Sequence, residues 1–237
     1  MVAFVFVVVR GSSGVDTAGA ERPARTVGDK MRPGITRVEI PSAITISPSV
    51  ETLAHEATYT EKIAEYLAGS GFQEIFTNSI TNSAYYNDTV LKSTVKMINN
   101  LSEELNVMRP AMMETGLTSI AYNLNRKNND LKFFEFGKTY GVSEAGKYTE
   151  DNHLTIYITG NKSADSWKGK AEKSDFYFIK AVFEKIMNVL GLKADAYTEA
   201  VNPDLTNALQ ANIKNEKVAE IGLVANSKLD RFDIKQP

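Results

Sequence analysis

Two β-forming runs joined by a short polar loop constrain this chain more than any other feature. The first, Leu131-Lys-Phe-Phe-Glu-Phe-Gly-Lys-Thr-Tyr140, carries aromatics at both phases of a period-two pattern. As a strand it needs cover on both faces, which places it centrally in a sheet. The second, His153-Leu-Thr-Ile-Tyr-Ile-Thr-Gly160, alternates Leu154, Ile156 and Ile158 with polar or tyrosine positions. Between them, residues 141–148 nearly spell a phosphate-binding Gly-x-x-x-x-Gly-Lys-[Ser/Thr] loop. Tyr148 stands where the small magnesium-holding hydroxyl belongs, and no helix follows to cradle phosphate. The segment therefore reads as strand, loop, strand, with His153 at the surface.

The flanking sequence supplies helices. Ser49 can cap a helix to about Ala68 with apolar positions at Val50, Leu53, Ala57, Ile63, Ala64 and Leu67, ended by Gly69-Ser70-Gly71. That Gly-x-Gly ends a helix and has no third glycine, so it is not a nucleotide fingerprint. Pro41 to Pro48 reads as an extended entry, Phe72 to Ile80 as a strand, Thr94 to Ile98 as a short strand, and Val107-Met108 as an extended piece. Pro110 suits the first turn of a helix running to about Arg126, with Met113, Leu117, Ile120, Ala121 and Leu124 on its apolar face. The clearest helix is Phe176 to Leu190, capped by Ser174 or Asp175 and ended by Gly191. Leu209 to Ile213 and Val218 to Ala225 form a closing hairpin, then Ser227 to Phe232 a helical turn or two. Strands adjoin in sequence more often than they alternate with helices, so the fold class is α+β around a mostly antiparallel sheet.

Composition narrows the chemistry. At 237 residues, 43% apolar and net charge −2, the chain can bury a real core and has no electrostatic drive toward nucleic acid or anionic membranes. It has no cysteine, and its two histidines, His55 and His153, have no metal-ligating spacing, so no metal ligands are expected. Residues 1–40 differ from the rest. The apolar run Val2 to Val9 is far short of the roughly 20 residues that span a bilayer. Ala18-Gly19-Ala20 mimics a signal cleavage site, but no Lys or Arg precedes the apolar run. With the Gly11-Ser-Ser-Gly-Val-Asp16 spacer, residues 1–40 read as an expression-derived or disordered leader, ahead of a module over 41–237 that ends without a closing element, as a truncated one would. Trp167, the only tryptophan, reads as sealing a charged loop onto the body.

Three runs carry a resemblance: Asn100-Leu-Ser-Glu-Glu-Leu-Asn-Val-Met-Arg-Pro110, Ala121-Tyr-Asn-Leu-Asn-Arg126, and Leu131 to Tyr140. They resemble the β subunit of bacterial phenylalanyl-tRNA synthetase, in its catalytic-like module. Gly71-Phe-Gln-Glu74, Asp175 to Glu184, Glu220 to Ala225 and Phe232-Asp-Ile-Lys235 extend the likeness over about Val38 to Pro237. It implies a class II aminoacyl-tRNA synthetase-like antiparallel sheet flanked by helices, with Ser49 to Ile80 as the motif-1-like element and Leu131 to Gly160 as the motif-2-like hairpin. It also implies a cytoplasmic, membrane-free role in translation within an α₂β₂ complex. There the α subunit charges tRNA(Phe) with ATP and magnesium, and the β module is a non-catalytic scaffold. Editing and anticodon-binding functions belong to other domains of the subunit.

The resemblance aligns Gly141 with the motif 2 arginine that grips the ATP α-phosphate, and no Gly-x-Gly-x-x-x-Arg motif 3 is present. No catalytic, cofactor-binding or metal residue is therefore expected in this segment. Two other readings use different residues. A self-contained nucleotide enzyme would rely on Lys147 of the near-Walker loop. A tRNA-contacting module would rely on the basic loop Lys162, Lys168, Lys170 and Lys173.

Overall fold

The computed structural model describes residues 2–8, 55–100, 102–144, 146–167 and 169–235. They belong to one compact unit, residues 1–11 with 55–237. The expected extended entry at Pro41 to Pro48, the start of the first helix, the boundary at residue 41 and most of the leader lie outside the described residues.

The chain runs β1 (Val2–Val8), α1 (His55–Gly69), β2 (Gln73–Glu74), β3 (Ile80–Thr81), a 3₁₀ turn (Ser83–Tyr85) and α2 (Asp88–Leu91). It continues through β4 (Val107–Met108), α3 (Met113–Leu124), β5 (Leu131–Glu144), β6 (Lys147–Thr159), β7 (Asn161–Ser163) and β8 (Glu172–Lys173). It closes with α4 (Phe176–Val189), β9 (Ala196–Glu199), β10 (Leu205–Ile213), β11 (Glu216–Val224) and α5 (Asn226–Arg231). Seven strands form one sheet in the order β2-β5-β6-β1-β11-β10-β9, antiparallel throughout except for the parallel β2–β5 pair at the edge. The β5–β6 hairpin is its long spine, paired from Leu131↔Thr159 to Glu144↔Lys147.

Alternation along the strands gives the sheet two dry faces. Phe134, Leu154, Ile156, Ile158, Ala219 and Ile221 pack beneath α1 and α4, which contribute Ile63, Leu67, Ile179, Val182, Phe183 and Ile186. Leu131, Phe133, Tyr157, Leu205 and Val224 face the other way, under Met113, Leu117 and Ile120 of α3 and Leu229 of α5. Both helices over the first face end as their sequences require. The Asp175 carboxylate accepts from Phe178 N at 2.7 Å to start α4, and Gly71 and Gly191 adopt positive φ after α1 and α4.

Several expectations need correction. Val2–Val8 does not stand outside the fold: it pairs antiparallel with β6 on one side and β11 on the other. The strand expected over Phe72 to Ile80 stops at Glu74, because after Ile75 the backbone turns and Thr77 bonds the Glu135 carboxylate instead of a neighbouring strand. Phe76 is consequently 93% exposed. Thr94 to Ile98 makes only a single bridge, Lys96↔Val107. Pro110 precedes α3 by three residues instead of sitting in its first turn. Trp167 is 98% exposed at the tip of the β7–β8 hairpin, where Ser166 and Gly169 bond each other across the turn, so it seals nothing.

Candidate functional site

The sheet face beside the motif-2-like hairpin is where the two long strands could present chemistry. Its lining is Glu135, Gly137 and Thr139 from β5 and His153, Thr155 and Tyr157 from β6. Arg109, from the segment between β4 and α3, lies across it. The Arg109 guanidinium is 2% exposed and Glu135 is fully buried, with Nη1 to Oε1 at 2.9 Å. Nη1 also donates to Thr77 Oγ1 at 2.7 Å and Nε to the Lys138 carbonyl at 2.8 Å. Thr77 returns its hydroxyl and backbone N–H to Glu135, at 2.9 and 3.1 Å. One carboxylate thus ties the β2 edge, the entry to α3 and the central strand together.

Gly137 makes room for this arrangement. A Cβ there would fall 2.3 Å from Arg109 Nη2 and 2.4 Å from Met112 Cε. The next layer repeats the device. Tyr157 donates its hydroxyl to the Met112 carbonyl at 2.7 Å, and α3 comes close enough only because residue 116 is glycine, where a Cβ would sit 2.0 Å from Tyr157 Cζ. Burial, reinforced by the Glu135 carboxylate, holds the Tyr157 phenol far above its ordinary pKa, so it acts as a neutral donor. A second buried cation, Lys228 of α5, reaches Glu114 of α3 at 2.6 Å and Asp204 at 3.0 Å. The face is filled, and its charges are spent on one another.

His153 is not at the surface. It is buried opposite Gly137, with Nε2 2.6 Å from the Thr139 hydroxyl. Burial pushes its pKa down to about 4; Asp151 opposes that shift and the Arg109 charge adds to it. At neutral pH the ring is uncharged, so it adds no cation to this face.

Gly141 lies in β5, paired with Thr149 of β6. A Cβ there would approach Thr149 Oγ1 to 2.9 Å, and the neighbouring Val142 N–H is taken by the Ser93 carbonyl at 2.9 Å. Lys147 is a β6 residue opposite Glu144 in the hairpin, with no helix after it. Lys162 and Lys173 lie on the β7–β8 hairpin, where Glu172 pairs Lys162 at 2.6 Å. The structure therefore keeps the near-Walker lysine and the basic loop on separate elements from the Arg109 network. Among the described residues, no three carboxylates or imidazoles converge as a metal-ligating group. No helix among them is long and apolar enough to cross a membrane.

A seven-stranded, largely antiparallel sheet with a parallel edge strand, a long central hairpin and helices on both faces is the class II aminoacyl-tRNA synthetase fold. Two solved structures of pyrrolysyl-tRNA synthetase from Desulfitobacterium hafniense share it. One has a TM-score of 0.58 at 13% identity over 77% of this chain and 61% of that one; the other has 0.57 at 14% identity over 76% and 62%. Within that class the chain belongs to the phenylalanyl tRNA synthetase beta chain CLM domain family, whose model matches residues 40–237. Named relatives are phenylalanine–tRNA ligase beta subunits. That of Bacteroides thetaiotaomicron is 39% identical and that of Bacteroides fragilis 37%, each over 85% of this chain. The subunit of Porphyromonas gingivalis is 33% identical over 86%. The chain spans about a quarter, 26–27%, of the length of these relatives.

Arg109 and Glu135 were within reach of sequence reasoning. Each is a lone charge of opposite sign in an otherwise apolar segment, Val107-Met-Arg-Pro110 and Phe133-Phe-Glu-Phe136, a pattern that signals a buried pair.

Proposed function

We propose that this chain is a non-catalytic scaffold segment of a phenylalanine–tRNA ligase beta subunit. It packs against the catalytic α subunit in an α₂β₂ assembly that uses ATP and magnesium to charge tRNA(Phe) in the cytoplasm. One observation carries the reading: the sheet face that would have to hold substrate is occupied by the Arg109–Glu135–Thr77 network and the glycine-seated helix α3. Adenylate formation develops negative charge on phosphate, and fixed cations stabilise it. Gly141 stands where the family's motif 2 arginine is expected, and the buried cations described on this face, Arg109 and Lys228, are paired with Glu135 at 2.9 Å and Glu114 at 2.6 Å. These residues do not fit a nucleotide, and no step of the reaction is assigned to them.

The docking surface we assign is the motif-1-like edge. Phe76 is 93% exposed there. Phe76 lines a groove with Thr118 and Ser119 of α3, one turn from exposed Tyr122. Solvent-facing apolar side chains of this size mark a partner surface. The test is co-purification with the α subunit. The wild-type chain is retained, whereas Phe76→Glu loses retention with unchanged melting temperature. Equal retention of the variant, or no retention of the wild type, contradicts the assignment.

A further inference from the structure

The ion pairs on the α3 side of the sheet leave one carboxylate oxygen over. Glu114, in the first turn of α3, is 2% exposed. Its Oε1 holds the Lys228 ammonium at 2.6 Å, whereas its Oε2 is buried without a hydrogen-bond partner. A buried carboxylate oxygen without a donor is costly, and a charged donor offsets that cost better than a neutral one. Two more carboxylates stand around the same place. Asp204 takes the Lys228 ammonium on its Oδ2 at 3.0 Å. Glu220 of β11 is buried and accepts from Asn202 Nδ2 at 2.6 Å and from Lys217 Nζ at 2.5 Å.

A cavity of about 160 Å³ lies between them, lined by Glu114, Asp204, Glu220 and Asn202 and, on its less polar side, by residues 111–113. At about 30 Å³ per water, it has room for roughly five waters, or for one ammonium group on a short carbon stem. Asp204, with its side chain 44% exposed, leaves a way in from solvent. Charge selects the sign of an occupant. Three carboxylates face two lysines, Lys228 and Lys217, and Lys217 is itself 39% exposed. The N-terminal end of the α3 dipole opposes a cation here, and Glu114 in that first turn counters it. The three carboxylates do not converge as a metal-ligating group. An organic cation that carries N–H donors fits, because Glu114 already holds such a group, the Lys228 ammonium, on its other oxygen.

We propose that the cavity between the start of α3, the turn at Asn202 to Asp204 and Glu220 of β11 is a binding site for a small primary amine in its ammonium form. Glu114 Oε2 accepts one ammonium N–H, Asp204 and Glu220 supply the balancing charge, and the short carbon stem lies along residues 111–113. This goes beyond the scaffold assignment and does not rest on it.

The test titrates ethylammonium chloride into the full chain, uniformly labelled with nitrogen-15. Tetramethylammonium chloride, which has the charge but no N–H donor, and sodium chloride serve as controls at equal ionic strength. The backbone amide resonances of Ala111 to Glu114 shift saturably with ethylammonium and with neither control. Glu114→Gln puts an amide in place of the free carboxylate oxygen and weakens binding by about tenfold or more. Glu220→Gln removes one surplus charge without touching the Lys228 pair and weakens binding by about threefold or more. Should Glu114→Gln fail to fold, Glu220→Gln decides. Absence of a saturable shift, equal shifts with all three salts, or unchanged affinity in Glu220→Gln overturns the assignment.

Discussion

Breaking the Arg109–Glu135 pair one side at a time is the perturbation whose outcome the structure fixes most tightly. Arg109→Met leaves a fully buried carboxylate with only Thr77 as donor among the contacts described, and Glu135→Leu leaves a guanidinium at 2% exposure without its counter-ion. Stranding one member of a buried pair costs about 3–5 kcal/mol. For a chain of this size that is a fall in melting temperature of about 6–20 °C, at about 2–4 °C per kcal/mol. The double variant strands no charge. Its remaining losses are the Arg109 bonds to the Lys138 carbonyl and Thr77, so it costs less than the two singles together by at least about 2 kcal/mol. Urea denaturation of the four proteins gives the cycle directly. Additive costs, or a single-variant cost below about 1 kcal/mol, would refute the view that this pair holds β2, α3 and β5 together.

Two further outcomes follow from the same face. His153 has a folded pKa of about 4 against about 6.5 unfolded, so the unfolded chain takes up its proton first. Stability is complete above pH 6.5 and falls as pH drops toward 4, by up to about 3 kcal/mol; a His153→Asn variant whose stability runs parallel to wild type over that range would contradict this. Gly116→Ala drives a Cβ to 2.0 Å from the buried Tyr157 ring and should cost about 1–3 kcal/mol or more in denaturant melts; an unperturbed melt would show that α3 does not sit as described.

Local pattern made much of this fold legible. The β5–β6 hairpin, α4 with its Asp175 cap, the terminal β10–β11 hairpin and the glycine stops at Gly71 and Gly191 all follow from periodicity and turn chemistry. The rest depends on partners distant in sequence. The strand after Phe72 ends early because a carboxylate 58 residues away captures Thr77. The apolar run Val2–Val8 has the unbroken pattern of a fully buried strand, but its neighbours are more than 140 residues off and a spacer-like sequence follows it. His153 is buried opposite Gly137, on the face over which Arg109 and Met112 lie, which its own neighbours in sequence do not reveal. The lone charges at 109 and 135 were visible as residues, while their pairing is a tertiary fact.

The central claim is that this segment of a synthetase subunit fold has its sheet face filled by structure instead of substrate. Phenylalanine-dependent exchange of pyrophosphate into ATP tests it most directly, measured on the purified chain alone and again with the α subunit added. The account predicts no exchange above background from the chain alone at any magnesium concentration. Measurable exchange by the chain alone, abolished by omitting phenylalanine, would contradict it.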